Sequence, residues 1–424
     1  MQVRPKTSKL KTGLLLISSL ALLMSILVAA GAFASGIAMM TRTYAENSST
    51  ILSFTGAMLF TFAALVHATA LIHAIKKPSQ AQEKILRSGF RMATAALLIW
   101  PGLMLLGHFV SRSTLDWLGL PILNLLVVLI PAWWLIEFAS RKLTHPSQKR
   151  QWGVLSISIS ITPLFIIVLE VLIFIVAFLL LYMLLITNPQ WMEQFTLLAQ
   201  SAFSGELDYQ SIEDFLLRLL QEPSTMVFLF ITAVVIVPFF EELIKPLALW
   251  GLAQRKPTPA EGFRLGMLSG AAFALLESVG MISQFSGTDW APMVLLRSST
   301  GLLHICLSGL VGWGLACAWS EKKRLRMLST LLVAAGLHGL WNALALSIGY
   351  SPSLFSPTTQ DVVLSAGDYL AIVIMLVEFV GLFWLLEHLQ KTIVRENIVA
   401  THADVFDQIE QLQDSIIGRR RGRE

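Results

Sequence analysis

The chain has 424 residues, 55% hydrophobic and only 14% charged, with a mean hydropathy of +0.69 and a formal net charge of +4. That composition excludes both a water-soluble globular chain and an intrinsically disordered one, and it fits a polytopic membrane protein. Only two cysteines are present, so neither a disulfide framework nor a CxxC metal site is available.

A helix crosses a bilayer with about 20 apolar residues. Ten segments meet that length, at 13–38, 51–75, 92–111, 116–139, 154–186, 226–252, 264–284, 291–319, 327–349 and 367–388. None alternates as a barrel strand would, so the expected fold class is all-α, a polytopic bundle of about ten transmembrane helices. The first segment starts basic but is too long for a cleaved signal, and reads as a retained anchor. The fifth is too long for an upright span. With the N-terminus placed in the cytoplasm, all but five of the 31 lysines and arginines fall on the cytoplasmic side. This excess of basic residues in cytoplasmic segments puts both termini there. The positive charge is thus a matter of topology and calls for no nucleic acid; the C-terminal "GRRRGRE" is placed to touch anionic lipid.

Residues 1–187 read as an N-terminal five-helix membrane region. Its ionisable groups within spans, His67, His73, His108, Glu137 and Glu170, stand singly. They are expected at interfaces or in one local hydrogen bond each, with Glu170 the deepest. Residues 188–225 form an extracytoplasmic loop. There Ile212, Phe215, Leu216, Leu219 and Leu220 share one face of an amphipathic helix, which either lies on the membrane surface or packs on the loop itself. Residues 226–350 hold four spans rich in small residues: Gly266 and Gly270 at GxxxG spacing, then Gly309, Gly312, Gly336 and Gly339. Such residues let membrane helices approach closely. Cys306 and Cys317 share the eighth span, about 16 Å apart along the helix, too far to bridge. Residues 351–424 supply the last transmembrane helix and a basic cytoplasmic tail, where Phe406, Ile409, Leu412 and Ile416 share a face.

The four spans of 226–350 carry ionisable groups near their middles. "FFEELIKP" brings Glu241, Glu242 and Lys245; "FALLESVG" brings Glu277; "GLLHICLSG" brings His304; "GLHGLWNAL" brings His338 and Asn342. Left unpaired, three glutamates and a lysine would cost on the order of 10 kcal/mol at about 2.5–3.5 kcal/mol each. They must face inward and satisfy one another or bind something. Lys245 is i+4 from Glu241 and i+3 from Glu242, so both carboxylates reach it, while the two glutamates point about 100° apart. One can pair with Lys245 as the other faces a common centre. His338 and Asn342 are i, i+4, the spacing of helical zinc ligands. Asn is a poor zinc ligand but a good donor to a developing oxyanion.

EExxK on one span, FxxxE on the next, His on the third and HxxxN on the fourth resemble the PrsW family of intramembrane proteases. The residues are Glu241 to Lys245, Phe273 to Glu277, His304, and His338 to Asn342. PrsW sits within the CAAX-prenyl protease and bacteriocin-processing superfamily. That other branch shows EExxxR and FxxxH, so Lys245 and Glu277 fit PrsW better. The resemblance covers about 226–350. It implies an intramembrane endopeptidase acting on membrane-anchored proteins, with an anti-sigma factor as the family's best-known substrate and a prokaryotic cytoplasmic membrane as its location. It implies two chemistries. In one, Glu277, His304 and His338 hold Zn²⁺ and Glu241 or Glu242 takes the proton of its water. In the other, metal-free, a glutamate and a histidine activate water directly. There Asn342 stabilises the oxyanion, with His338 or His304 assisting; Glu241 is favoured as base and Glu242 as the partner of Lys245.

Two other classes compete. Buried Glu, Lys and His also make relays in proton- or cation-coupled transporters, although no internal repeat is visible here. A catalytically inactive scaffold or sensor would be expected to lose part of the polar set, and none is missing.

Overall fold

The computed structural model describes residues 7–41, 47–76, 86–205, 208–349 and 365–421. These are helical, with no strand among the described residues, and ten of the helices are long and apolar enough to cross a membrane. The first five are α1 (Thr7–Met40), α2 (Asn47–Ile75), α3 (Leu86–Val110), α4 (Asp116–Ser140) and α5 (Gln148–Thr187). At 40 residues, α5 exceeds a single upright span, as its sequence indicates.

Two helices follow where the sequence suggests one. α6 (Pro189–Ser204) starts on an Asn188 side-chain cap and a first-turn proline, and ends at Gly205 in the left-handed conformation. α7 (Tyr209–Gln221) is capped by Asp208. The α7 residues Phe215 and Leu219 are buried against Leu181, Trp191, Phe195 and Leu198. The amphipathic face therefore packs on the loop's own helix and the end of α5.

The sixth span is broken twice. α8 (Pro223–Ile231) runs into a π-helical turn, Thr232–Ile236, then α9 (Val237–Ile244). Pro238 explains the first break: it has no N–H to offer the Val234 carbonyl, and the Val237 N–H instead reaches back to Thr232 O. The chain turns again at Lys245 and Pro246 before the short α10 (Leu247–Trp250). This turn leaves the Lys245 carbonyl without a helical partner; it accepts from the Ser269 hydroxyl, which in turn meets Ser158 Oγ at 2.8 Å.

α11 (Pro259–Ile282) opens on a Thr258–Glu261 capping box. With α12 (Trp290–Ser320) it forms the most extensive helix pair and the buried centre of the bundle. Small residues make this possible. A methyl added at Gly262, Gly266 or Gly270 would overlap the carbonyl oxygen of Gly312, Ser308 or His304 respectively. α13 (Arg324–Gly349) and α14 (Ala366–Arg421) close the bundle around α12. The backbone of α14 continues through Phe406, Ile409, Leu412 and Ile416, whose side chains lie outside the described residues. Both cysteines are free and buried.

The first five helices are fastened to this centre by a buried polar cluster. Arg264, counted with the loop bases in the sequence, sits in the second turn of α11. It pairs with Glu137 at 2.7 Å, donates to Gln151 Oε1 at 3.1 Å and reaches Ser140 Oγ. Glu137 is thus not a single local residue but half of a buried inter-helix ion pair. His67 does keep to one hydrogen bond, to Ser156 Oγ at 2.8 Å.

Candidate active site

The site residues come from the second half of the broken sixth span and from α11, α12 and α13. Lys245 is wholly buried and its ammonium is the hub. It donates to Glu242 Oε1 at 2.7 Å and to His304 Nδ1 at 2.9 Å, and stands 2.9 Å from Glu241 Oε2. It also lies 4.5 Å from the centre of the Phe273 ring, which covers it as a cation–π partner. The FxxxE motif thus contributes its phenylalanine to the site as well as its glutamate.

The two glutamates divide as their 100° separation requires. Glu242 is fully buried; its Oε1 accepts from both Lys245 and His338 Nδ1, the latter at 2.9 Å. Glu241 keeps 12% of its side-chain surface. Its Oε2 is buried and ion-paired with the Lys245 ammonium without an aligned hydrogen bond, and it lies 4.0 Å from His338 Nε2. Since Nδ1–H of His338 donates to Glu242, the Nε2 lone pair is turned toward Glu241.

His304 bridges two helices. With Nδ1 accepting from Lys245, its Nε2–H donates to Glu277 Oε2 at 2.8 Å. Arg297 Nη2 lies 2.7 Å from the same Glu277 oxygen. The register between α11 and α12 is set by packing and not by local spacing, so this pairing of Arg297 is not visible in the sequence. The imidazoles of His304 and His338 meet edge to face, ring centres 5.1 Å apart.

Asn342 lies one turn beyond His338. Its Nδ2 donates to the Ala233 carbonyl of the π turn at 3.0 Å. One amide hydrogen is therefore committed to backbone, leaving the other hydrogen and the carbonyl oxygen. Glu170 of α5, expected to stand singly, is near Glu241, Glu277 and Lys245 and lines one cleft with Asn342.

The donor atoms that converge within 4.8 Å of one another belong to Glu241, His304 and His338. Two imidazoles and a carboxylate, with the Glu241 oxygen lacking a hydrogen bond, form a donor set that suits zinc. Glu277 is placed differently from the ligand role expected of it, held between His304 and Arg297. The Lys245 ammonium occupies lone pairs of Glu241 and His304, so it competes with any metal ion for them. A second convergent set, Cys317, Glu321 and Glu396, surrounds Arg326, which lies 3.0 Å from Glu396 and 4.0 Å from Glu321.

Residues 188–382 match the family described as PrsW family intramembrane metalloprotease. The match includes every site residue above except Glu170 and leaves the first five spans outside it. No curated protein and no solved structure matches the chain.

Proposed function

We propose, from the premise that residues 188–382 belong to the PrsW family of intramembrane proteases, that this chain hydrolyses peptide bonds of membrane-anchored proteins with Glu241 as general base. The observation that carries this reading is Glu241, the less buried of the two glutamates, whose Oε2 makes no hydrogen bond and faces His338 Nε2 across 4.0 Å beside the Lys245 ammonium. A water there meets two acceptors, and the carboxylate can take its proton as the oxygen attacks a carbonyl carbon. His338 is held for this task by Glu242, which fixes its tautomer and in turn is held by Lys245. Glu277 and Arg297 orient His304 in the same way. The free hydrogen of the Asn342 amide is available to a developing oxyanion. The protonated base then delivers its proton to the leaving amine.

Glu241, His304 and His338 are the residues that would hold a divalent metal ion. When bound, such an ion supplies Lewis acidity and makes water a better acid. A membrane-anchored anti-sigma factor as substrate, and a prokaryotic cytoplasmic membrane as location, follow from the family resemblance.

The test is cleavage of co-expressed single-pass membrane proteins by the wild type and by Glu241→Gln, Glu242→Gln, His304→Ala and His338→Ala. Loss of processing in each is expected. Wild-type processing in all four would sink the proposal.

A further inference from the structure

An intramembrane peptidase must do more than activate water. A transmembrane helix buries its peptide bonds within its own hydrogen-bond ladder, and a bond becomes open to attack only when the helix locally unwinds. Each N–H and C=O so freed costs several kcal/mol in an apolar medium unless it finds a partner. The protein should therefore offer a mostly apolar cleft beside the base, with a few hydrogen-bonding groups on its walls.

A cleft of about 580 Å³ with these properties lies between α5, the α8–π–α9 segment and α13. Its size is within the roughly 300–1,000 Å³ usual for ligand clefts. Phe174 and Leu346 are among its apolar walls, and Glu170, Thr232, Asn342 and Ser347 are its polar lining residues. The Thr232 and Ser347 hydroxyls donate to their own helices, so both keep acceptor lone pairs. The cleft is continuous with the site: Asn342 belongs to both, Glu170 stands beside Glu241, and Val237 on its wall is one turn before Glu241.

We infer that this cleft receives an unwound apolar stretch of the substrate's membrane anchor, and that Glu170 accepts a hydrogen bond from a freed backbone N–H of that stretch. A lipid tail is a poorer occupant, because it offers no hydrogen-bonding partner to the carboxyl group of Glu170. An intact helix is also poorer, since its N–H groups are already used. Glu170 lies on α5, outside the family match, so the first five spans contribute a substrate-positioning residue rather than only support. This inference rests on the peptidase reading for its occupant but is tested by binding.

The probes are two fluorescent 20-residue Leu/Ala peptides, one with a central Gly-Pro pair and one uninterrupted. Each is titrated by anisotropy into the full-length Glu241→Gln protein in nanodiscs. The interrupted peptide is expected to bind at least about tenfold tighter. Leu346→Trp, which fills the cleft, and Glu170→Leu, which removes the acceptor, should each weaken it by roughly tenfold. Glu170→Gln keeps a carbonyl oxygen and should recover most of the affinity. Phe203→Ser, on the exposed face of α6, should change nothing. Equal binding of both peptides, indifference to Leu346→Trp and Glu170→Leu, or displacement of the peptide by a free fatty acid would overturn the inference. If the binding pattern holds while the wild type never cleaves the interrupted peptide, the peptidase reading fails and the cleft stands.

Discussion

The Asn342 side-chain amide and the Ala233 carbonyl oxygen, 3.0 Å apart, join α13 to the π turn that precedes the two glutamates. A π turn leaves backbone carbonyls displaced from the regular ladder, and Ala233 O is one that a side chain satisfies. Gly339, three residues before Asn342 on α13, lets the neighbouring Val234 carbonyl approach so closely that an added methyl would overlap it. The HxxxN motif thus does two things at one spacing: it presents His338 and it sets the shape of the helix carrying Glu241.

Asn342→Ala should therefore loosen the π turn as well as remove a polar group. A buried carbonyl left without its partner costs about 1–3 kcal/mol. Hydrogen exchange across 230–240 should rise. If Glu241 and Glu242 shift by about 1 Å, activity should fall roughly 100-fold. Unchanged exchange with lost activity would assign Asn342 to chemistry alone.

Lys245 gives a second prediction. Its ammonium neutralises two adjacent buried glutamates, and breaking a buried ion pair costs about 3–5 kcal/mol. Lys245→Met should lower the apparent melting temperature in detergent. It should also free the Glu241 and His304 lone pairs for a metal ion. Added zinc should then raise the melting temperature of the variant more than that of the wild type, because ligand binding stabilises by mass action. Metal content after gel filtration checks the same point. Equal responses of the two proteins would mean that Lys245 and the metal do not compete.

The parts of this arrangement that could be read from sequence are those set by local spacing. Hydropathy alone located all ten spans, because a helix in lipid must satisfy its backbone internally. The i, i+3 and i, i+4 relations of Glu241, Glu242 and Lys245 foretold their shared ammonium, and Gly266 and Gly270 foretold a close helix approach without naming its partner. The breaks on either side of the glutamates fall at Pro238 and Pro246. What escaped depends on how distant helices are rotated and shifted against one another. Arg297 meets Glu277, Arg264 meets Glu137, and Glu170 comes near Glu241 only through packing that no single segment encodes. α6 was legible by the same rule and was missed: Trp191, Phe195, Leu198 and Ala202 recur at helical spacing, between an Asn188–Pro189 start and Gly205.

The Arg264–Glu137 pair predicts how strongly the first five spans are coupled to the rest. Both side chains are at most 10% exposed. Glu137→Leu alone leaves an uncompensated buried guanidinium and should destabilise by about 3–5 kcal/mol. The double variant Glu137→Leu, Arg264→Met should recover much of that loss, since apolar replacements of a buried pair are often neutral. Chemical denaturation in mixed micelles would measure both. Equal stability of the single and double variants would show that the pair is not coupled.

His145 lies beside this cluster, in the turn between α4 and α5, and provides a pH signature. Burial, and then the positive charge of Arg264, push its pKa down from 6.5 to about 4. The folded protein therefore binds fewer protons at this residue than the unfolded chain does. Stability from this source is complete above about 6.5 and is lost as the pH falls toward about 4, where the folded form also protonates. Unfolding midpoints measured between pH 7.5 and 4 should decline in the wild type. His145→Gln keeps a polar side chain but cannot titrate, so its midpoints should decline less steeply over the same interval. Parallel slopes in the two proteins would place the pH dependence elsewhere. A flatter slope in His145→Gln would identify the junction between the first five spans and α11 as the part of the fold that weakens as acid is added.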